Sequence, residues 1–140
     1  MTLDTRDAAW TVGDRLGPLV AGPADRTTLA LFAGASGDHN PIHLDVELAR
    51  STGLDDVFAQ GMLTMAYLGR LVTDRFAPED LREFDVRFAA ITPVNARPVC
   101  TAVVTAADAA QITLELRAEL ADGTVTVTGR AVISRKDTQA

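Results

Sequence analysis

The sequence lacks the features that define several large classes of protein. No apolar run approaches the about 18 residues that a membrane-spanning helix needs, and the N-terminal part lacks the pattern of a secretory signal. The 13 Lys and Arg residues are scattered among 19 acids, which gives a net charge of -6 and no basic stripe for a phosphate backbone. We therefore predict a cytoplasmic protein that binds neither a membrane nor nucleic acid.

Cysteine is almost absent as well. The single thiol, Cys100, lies in an apolar, strand-like segment and cannot form an internal disulfide, which fits a reducing compartment. We expect it to be buried and inert. The 140 residues are 47% apolar and contain no repeat, low-complexity tract or long linker, so we predict one domain over residues 1–140.

The first half of the chain carries helical patterns separated by Gly and Pro. Residues 24–34 predict a helix with Asp25 as a possible cap, and residues 45–50 predict a short one. Residues 61–76 place apolar groups around most of a helix, which predicts burial on several sides. Residues 16–20 predict a first strand that Gly and Pro interrupt.

The second half of the chain alternates between apolar and polar residues. This pattern predicts four strands, at residues 83–94, 97–105, 112–120 and 125–133. Asp122-Gly123 is a strong hairpin signal between the last two. An antiparallel sheet with one polar face, packed on the long helix, is an α+β layer architecture.

A polar loop holds both histidines of the chain, His39 and His43, together with Asp38 and Asn40. Pro41 stiffens the turn, so Asp38 and His43 lie on either side of a rigid bend and can converge on one point. A carboxylate and an imidazole that face one water can orient it, take a proton from it and return a proton elsewhere. This is the strongest functional signal in the sequence.

Two other interpretations of the loop stay open at this point. Asp38 and Asn40 can simply form Asx turns, with Asp45 capping the next helix and His43 packed beneath it. Alternatively, Asp38, His39, His43 and Asp45 can bind a metal, but their spacing matches no familiar ligand pattern and cysteine ligands are absent. We therefore expect no metal.

Gly61 begins the long predicted helix, where the first backbone N–H groups have no internal partner. The helix dipole makes that end attractive to developing negative charge, and glycine lets a carbonyl oxygen approach closely. The alternative is that Gly61 only relieves crowding where the chain meets the sheet.

Residues 32–43, which contain Gly-Asp-x-Asn-Pro-x-His, and residues 59–65, which begin Ala-Gln-Gly-Met-Leu, carry a family resemblance. They resemble the MaoC-like, (R)-specific enoyl-thioester hydratases, most closely the small single-hotdog dehydratases, over roughly residues 12–135. The resemblance implies a hotdog fold, in which a curved antiparallel sheet wraps the long helix. It also implies a homodimer, or a heterodimer with a related hotdog subunit.

For the chemistry, the resemblance implies reversible conversion of a trans-2-enoyl thioester to an (R)-3-hydroxyacyl thioester, carried on CoA or acyl carrier protein, with no cofactor. Asp38 and His43 match the residues that activate or release the water, and Asn40 with Pro41 matches the loop support. Gly61 matches the glycine whose N–H binds the thioester oxygen. Gln60 is a departure, since the family usually has histidine there.

Two alternatives remain within the same fold. A noncatalytic hotdog subunit would shape the acyl tunnel for a catalytic partner, but it has no chemical need for the intact Asp-x-Asn-Pro-x-His. A hotdog thioesterase often carries its carboxylate on the central helix, and residues 61–73 contain no acid.

Overall fold

The described structure, a computed structural model, comprises residues 9–135, built from one sheet and three helices. Residues 1–8 and 136–140, the ends of the predicted domain, lie outside the described residues. The elements, in chain order, are β1 (Arg15–Val20), α1 (Arg26–Ser36), α2 (Val46–Ser51), α3 (Gly61–Thr73), β2 (Leu81–Phe88), β3 (Val99–Ala107), β4 (Gln111–Glu119) and β5 (Val125–Ser134).

The five strands form one antiparallel sheet in the order β1-β3-β4-β5-β2. The four predicted strands are present, and β1 joins them with a register shift between Leu16 and Leu19, where the interruption was expected. Strand β4 alternates between buried and exposed residues, so one sheet face is polar. The predicted hairpin is confirmed: Gly123 adopts φ 88° between β4 and β5, a left-handed conformation that glycine tolerates.

The prediction that one strand runs over residues 83–94 was wrong at its end, since β2 stops at Phe88. The N–H groups of Ala89 and Ala90 both donate to the carbonyl of Thr126, at 2.8 and 3.2 Å, so the regular ladder is broken there. The chain then runs past the start of α3, where the Ala59 N–H donates to the Thr92 carbonyl at 2.9 Å. Helix α3 also ends earlier than predicted, at Thr73 instead of residue 76.

Side-chain caps set the starts of α1 and α2. The Asp25 carboxylate accepts a hydrogen bond from the Thr28 N–H at 2.8 Å, which confirms the predicted cap. The Asp45 carboxylate likewise accepts from the N–H groups of Glu47 and Leu48, at 2.9 and 3.1 Å. Helix α1 runs two residues further than predicted, because Gly37 provides the left-handed C-cap, with φ 79°.

The core lies between α3 and the sheet. Helix α3 contacts all five strands, and its Leu68, Leu71 and Val72 are buried against β4 residues such as Leu114 and Leu116. This explains why the helix is apolar on most of its surface. Within residues 9–135, no helix is long and apolar enough to cross a membrane.

A smaller apolar cluster lies beneath α1 and α2. It contains Leu29 of α1, Ala49 of α2 and Leu63 of α3, together with Val57 and Ala59 from the segment that leads into α3. Burial of this apolar surface holds the two short helices against the first turn of α3. The polar loop between α1 and α2 is thereby placed beside that turn.

Cys100 is fully buried on β3, and burial raises the pKa of its thiol to about 11. We expect no reaction with an aromatic disulfide reagent at about pH 8 in the native protein, because the reactive thiolate is both scarce and shielded. One equivalent of thiol should appear on unfolding in urea. Stoichiometric labelling of the folded protein, faster than its unfolding, would contradict this expectation.

Candidate active site

The polar loop is organised by a chain of side-chain to backbone hydrogen bonds. The Ser36 hydroxyl accepts from the Asp38 N–H at 3.2 Å, and Asp38 Oδ1 accepts from the Asn40 N–H at 3.3 Å. Asn40 Oδ1 then accepts from the Ile42 N–H at 3.1 Å and caps a single 3₁₀ turn, Pro41–His43. The turn interpretation was therefore right about these bonds, which leave the loop little freedom.

Asp38 has a second oxygen that the turn does not use. Its Oδ2 lies 3.7 Å from Nε2 of His43. That separation is too long for a direct hydrogen bond, but it suits one water about 2.8 Å from each atom. The His43 side chain is 9% exposed and the Asp38 side chain 40%, so the carboxylate is the more accessible member of the pair.

His43 is fixed by its other ring nitrogen. Nδ1 lies 2.7 Å from the backbone carbonyl oxygen of Phe58, and the two rings meet edge to face with centroids 4.9 Å apart. Since a carbonyl can only accept, Nδ1 must carry the hydrogen, and in the neutral imidazole Nε2 is then an acceptor. The lone pair of Nε2 is therefore the one directed toward Asp38.

The first turn of α3 presents uncapped N–H groups. Gln60 occupies the N-cap position without a side-chain bond to the helix, and its carbonyl accepts from the Leu63 N–H at 3.0 Å. For the N–H groups of Gly61 and Met62, no acceptor is found among residues 9–135. These two donors and the helix dipole make this end suitable for a carbonyl oxygen that gains negative charge.

The absence of a side chain at Gly61 is also required for packing against β2. A Cβ atom at Gly61 would lie 3.0 Å from two ring carbons of Phe88, the last residue of β2. The crowding interpretation is therefore correct, and it does not exclude the N–H interpretation. A side chain here would displace the aromatic ring or block the approach to the N–H.

A pocket of about 430 Å³ brings Asp38 together with the start of α3, whereas His43 is not among its lining residues. Asp38, Gly61 and Met62 line it with residues from the end of β2 and the loop after it, among them Phe88 and Ile91. Met62, Phe88 and Ile91 are 52%, 51% and 46% exposed, so its mouth is apolar. The pocket also contains the hydroxyls of Thr64 and Thr92, 3.4 Å apart.

The two other residues that were considered as metal ligands, His39 and Asp45, do not line the pocket. His39 is exposed, and Asp45 is occupied as the cap of α2. Within the described part of the chain, no three His, Cys, Asp or Glu side chains come together as metal ligands. Sequence reasoning missed Phe58, whose contribution is a backbone carbonyl and so has no residue signature. It also missed Phe88, which lies beyond any local motif.

Comparisons with known proteins identify the family of the chain. Residues 7–126 match the MaoC like domain family. A relative named 3-hydroxyacyl-thioester dehydratase Z, from Mycobacterium tuberculosis, is 31% identical over 97 residues, which are 65% of this chain. The match spans 64% of that relative's own length.

Solved structures share the fold. The (R)-hydratase from A. caviae involved in PHA biosynthesis superimposes with a TM-score of 0.80 and 25% identity, covering 91% of this chain and 98% of that one. The ChsH1-ChsH2 complex of Mycobacterium tuberculosis gives 0.81 at 24% identity, covering 90% and 98%. The α+β hotdog fold is confirmed, and the chain belongs to the MaoC-like dehydratase family.

The contact between Gly61 and Phe88 can be tested by a double-mutant cycle. We expect Gly61→Ala to lower the free energy of unfolding more in the wild type than in a Phe88→Ala background, because only the ring obstructs the new methyl. The two changes should differ by about 0.5 kcal/mol or more. Urea unfolding measures the difference.

The matched control is Gly69→Ala in the same helix, where the nearest ring atom would be 3.7 Å from the new carbon, an ordinary contact. This change should stabilise the protein by about 0.5–1 kcal/mol, since alanine favours a helix. Equal effects of Gly61→Ala in both backgrounds would show that Phe88 does not restrict this position.

Proposed function

We propose that this protein catalyses reversible syn hydration of trans-2-enoyl thioesters to (R)-3-hydroxyacyl thioesters. The observation that carries the proposal is the pairing of Asp38 Oδ2 with His43 Nε2 at 3.7 Å, beside the uncapped start of α3. Family membership and the similarity to a dehydratase and an (R)-hydratase support the same reaction.

The thioester oxygen would bind at the first turn of α3, at the Gly61 N–H. When water attacks the β-carbon of the conjugated thioester, negative charge grows on that oxygen. A fixed N–H donor in a site that excludes water can stabilise this charge by about 3 kcal/mol. Gly61 suits the role because it has no side chain to keep the oxygen away.

The reacting water would lie between Asp38 and His43 and donate one hydrogen to each, which directs its oxygen lone pair outward to the β-carbon. Nε2 of His43 is free to accept, because Nδ1 is committed to the Phe58 carbonyl. The C–O bond forms as an O–H bond of the water breaks, its proton passes to Asp38 or His43, and this pair returns a proton to the α-carbon on the same face. Dehydration follows the same path in reverse, and neither direction needs a cofactor.

Two alternatives within the fold are less well supported. A noncatalytic subunit would not need the Asp38–His43 pair, in which Asp38 Oδ2 is not used by the turn and faces the imidazole. A thioesterase with its carboxylate on the central helix lacks that group here, because residues 61–73 contain no acid.

We further propose that the active form is a homodimer that works on CoA or acyl carrier protein thioesters in the cytoplasm, in fatty acid or related acyl metabolism. Strand β2 is at an edge of the sheet, and its end carries the exposed apolar mouth of the pocket. A second copy on this side would cover Met62, Phe88 and Ile91. Light scattering after gel filtration should give twice the chain mass, and a monomer would contradict the homodimer.

We expect Asp38→Asn and His43→Ala each to lower the turnover of a good enoyl-CoA by at least about 100-fold, because the first replaces a basic carboxylate with an amide that cannot take a proton and the second removes the imidazole acceptor. Loss of absorbance of the conjugated enoyl thioester measures hydration, and chiral analysis of the product tests the (R) configuration.

His39→Ala is the matched control, since it removes an exposed imidazole from the same loop. It should leave turnover within about twofold of wild type. Losses below about tenfold for both Asp38→Asn and His43→Ala would refute the assignment. Free thiol released from acyl-CoA, without hydration, would instead indicate the thioesterase.

A further inference from the structure

Gln60 is a fully buried amide with an unusual hydrogen-bond pattern. It is 0% exposed, and its Nε2 donates to the backbone carbonyl of Leu29 in α1 at 3.0 Å. Its Oε1 has no hydrogen-bond partner among the described residues. Because nearly all buried polar atoms in native proteins are bonded, and an unbonded one costs about 1–3 kcal/mol, this side chain calls for a specific explanation.

The orientation of the amide follows from its partner. Leu29 offers a carbonyl oxygen, which can only accept, so the NH₂ group of Gln60 must face it. Exchanging the oxygen and nitrogen would bring two acceptors together. The oxygen is therefore left unbonded because the amide nitrogen is used for the hydrogen bond to Leu29, which we call the brace to α1.

The same side chain leaves its own helix uncapped. Asp25 and Asp45 cap α1 and α2 with side-chain bonds to N–H groups of the first turn. Gln60 holds the equivalent position on α3 and makes no such bond. A good capping residue there would compete for N–H groups that the proposed reaction needs.

The brace also connects the two parts of the site. Phe58, two residues before Gln60, accepts the hydrogen bond that orients His43, and Gly61 follows directly. On the other side, α1 leads through its C-cap into the loop that carries Asp38. The bond from Gln60 to Leu29 therefore joins the helix start that binds the thioester oxygen to the helix that leads to the carboxylate.

We propose that Gln60 is a positioning residue, which holds the uncapped first turn of α3 in register with Asp38 and His43. This inference rests on the proposed hydration. It assigns a function to the position where the resemblance leads one to expect histidine, whose ring N–H can also donate to a carbonyl.

The test compares two replacements of Gln60. Gln60→Met is close in size and has neither a donor for Leu29 nor a capping group, whereas Gln60→His keeps a donor. For Gln60→Met we expect kcat to fall about tenfold or more with KM within about twofold, because the misplaced N–H groups stabilise the transition state less than before. Thermal stability should be unchanged or higher, since the unbonded oxygen is gone. Gln60→His should recover most of kcat.

The matched control is Thr52→Val, which removes another side-chain donor to a helix carbonyl, the 2.7 Å bond from the Thr52 hydroxyl to Ala49. It should lower stability and leave kcat unchanged. If Gln60→Met keeps its kcat, or loses activity only in step with stability as a destabilised protein would, Gln60 is structural and the inference is wrong.

A second readout separates this inference from the proposed function. Amide hydrogen exchange at Leu63, whose N–H donates to the Gln60 carbonyl in the first turn of α3, should be faster in Gln60→Met and near wild type in Gln60→His, whatever the reaction catalysed. An inactive wild type would refute the proposed hydration. Unchanged exchange in Gln60→Met would refute the positioning role, even if the wild type is an active hydratase.

Discussion

The hydrogen bond between His43 and the Phe58 carbonyl is the constraint on which the site depends. It ties the loop after α1 directly to the segment that enters α3, in addition to the Gln60–Leu29 bond and the apolar cluster that hold α1 near that segment. It also determines which ring nitrogen carries the hydrogen, and so which one faces Asp38. A backbone carbonyl is a suitable partner, because it cannot titrate and its position follows that of the whole segment.

Asp38 performs two tasks with its two oxygens. Oδ1 closes the Asx turn to Asn40, and Oδ2 faces His43. The structural and chemical interpretations of the loop are therefore compatible, since the turn holds the carboxylate in the orientation that the proposed chemistry requires. Pro41 and the Asn40 cap extend the same rigidity into the 3₁₀ turn that carries His43. Preorganisation of this kind lowers the cost of orienting a water during the reaction.

Much of the architecture was predictable because it depends on local periodicity. The alternation of β4, the hairpin at Gly123 and the apolar surface of α3 follow from the order of residues alone. The end of β2 was not predictable, because the apolar pattern continues while two N–H groups share the Thr126 carbonyl. The candidate residues Asp38, His43 and Gly61 could be proposed from local motifs. Their partners, Phe58 and Phe88, contribute through backbone position and tertiary contact, which a single sequence does not reveal.

Helix α3 begins without a side-chain cap, and the missing cap makes this helix end less stable. The chain uses aspartate caps on α1 and α2, so capping residues are available to it, yet the helix most deeply embedded in the fold has none. Contacts of α3 with all five strands compensate for the missing cap, because helices in proteins owe most of their stability to packing. A short helix such as α2, with six residues, has less packing to compensate for the loss of its cap. The uncapped donors therefore lie on a helix that can tolerate them, and that helix also forms part of the wall of the pocket.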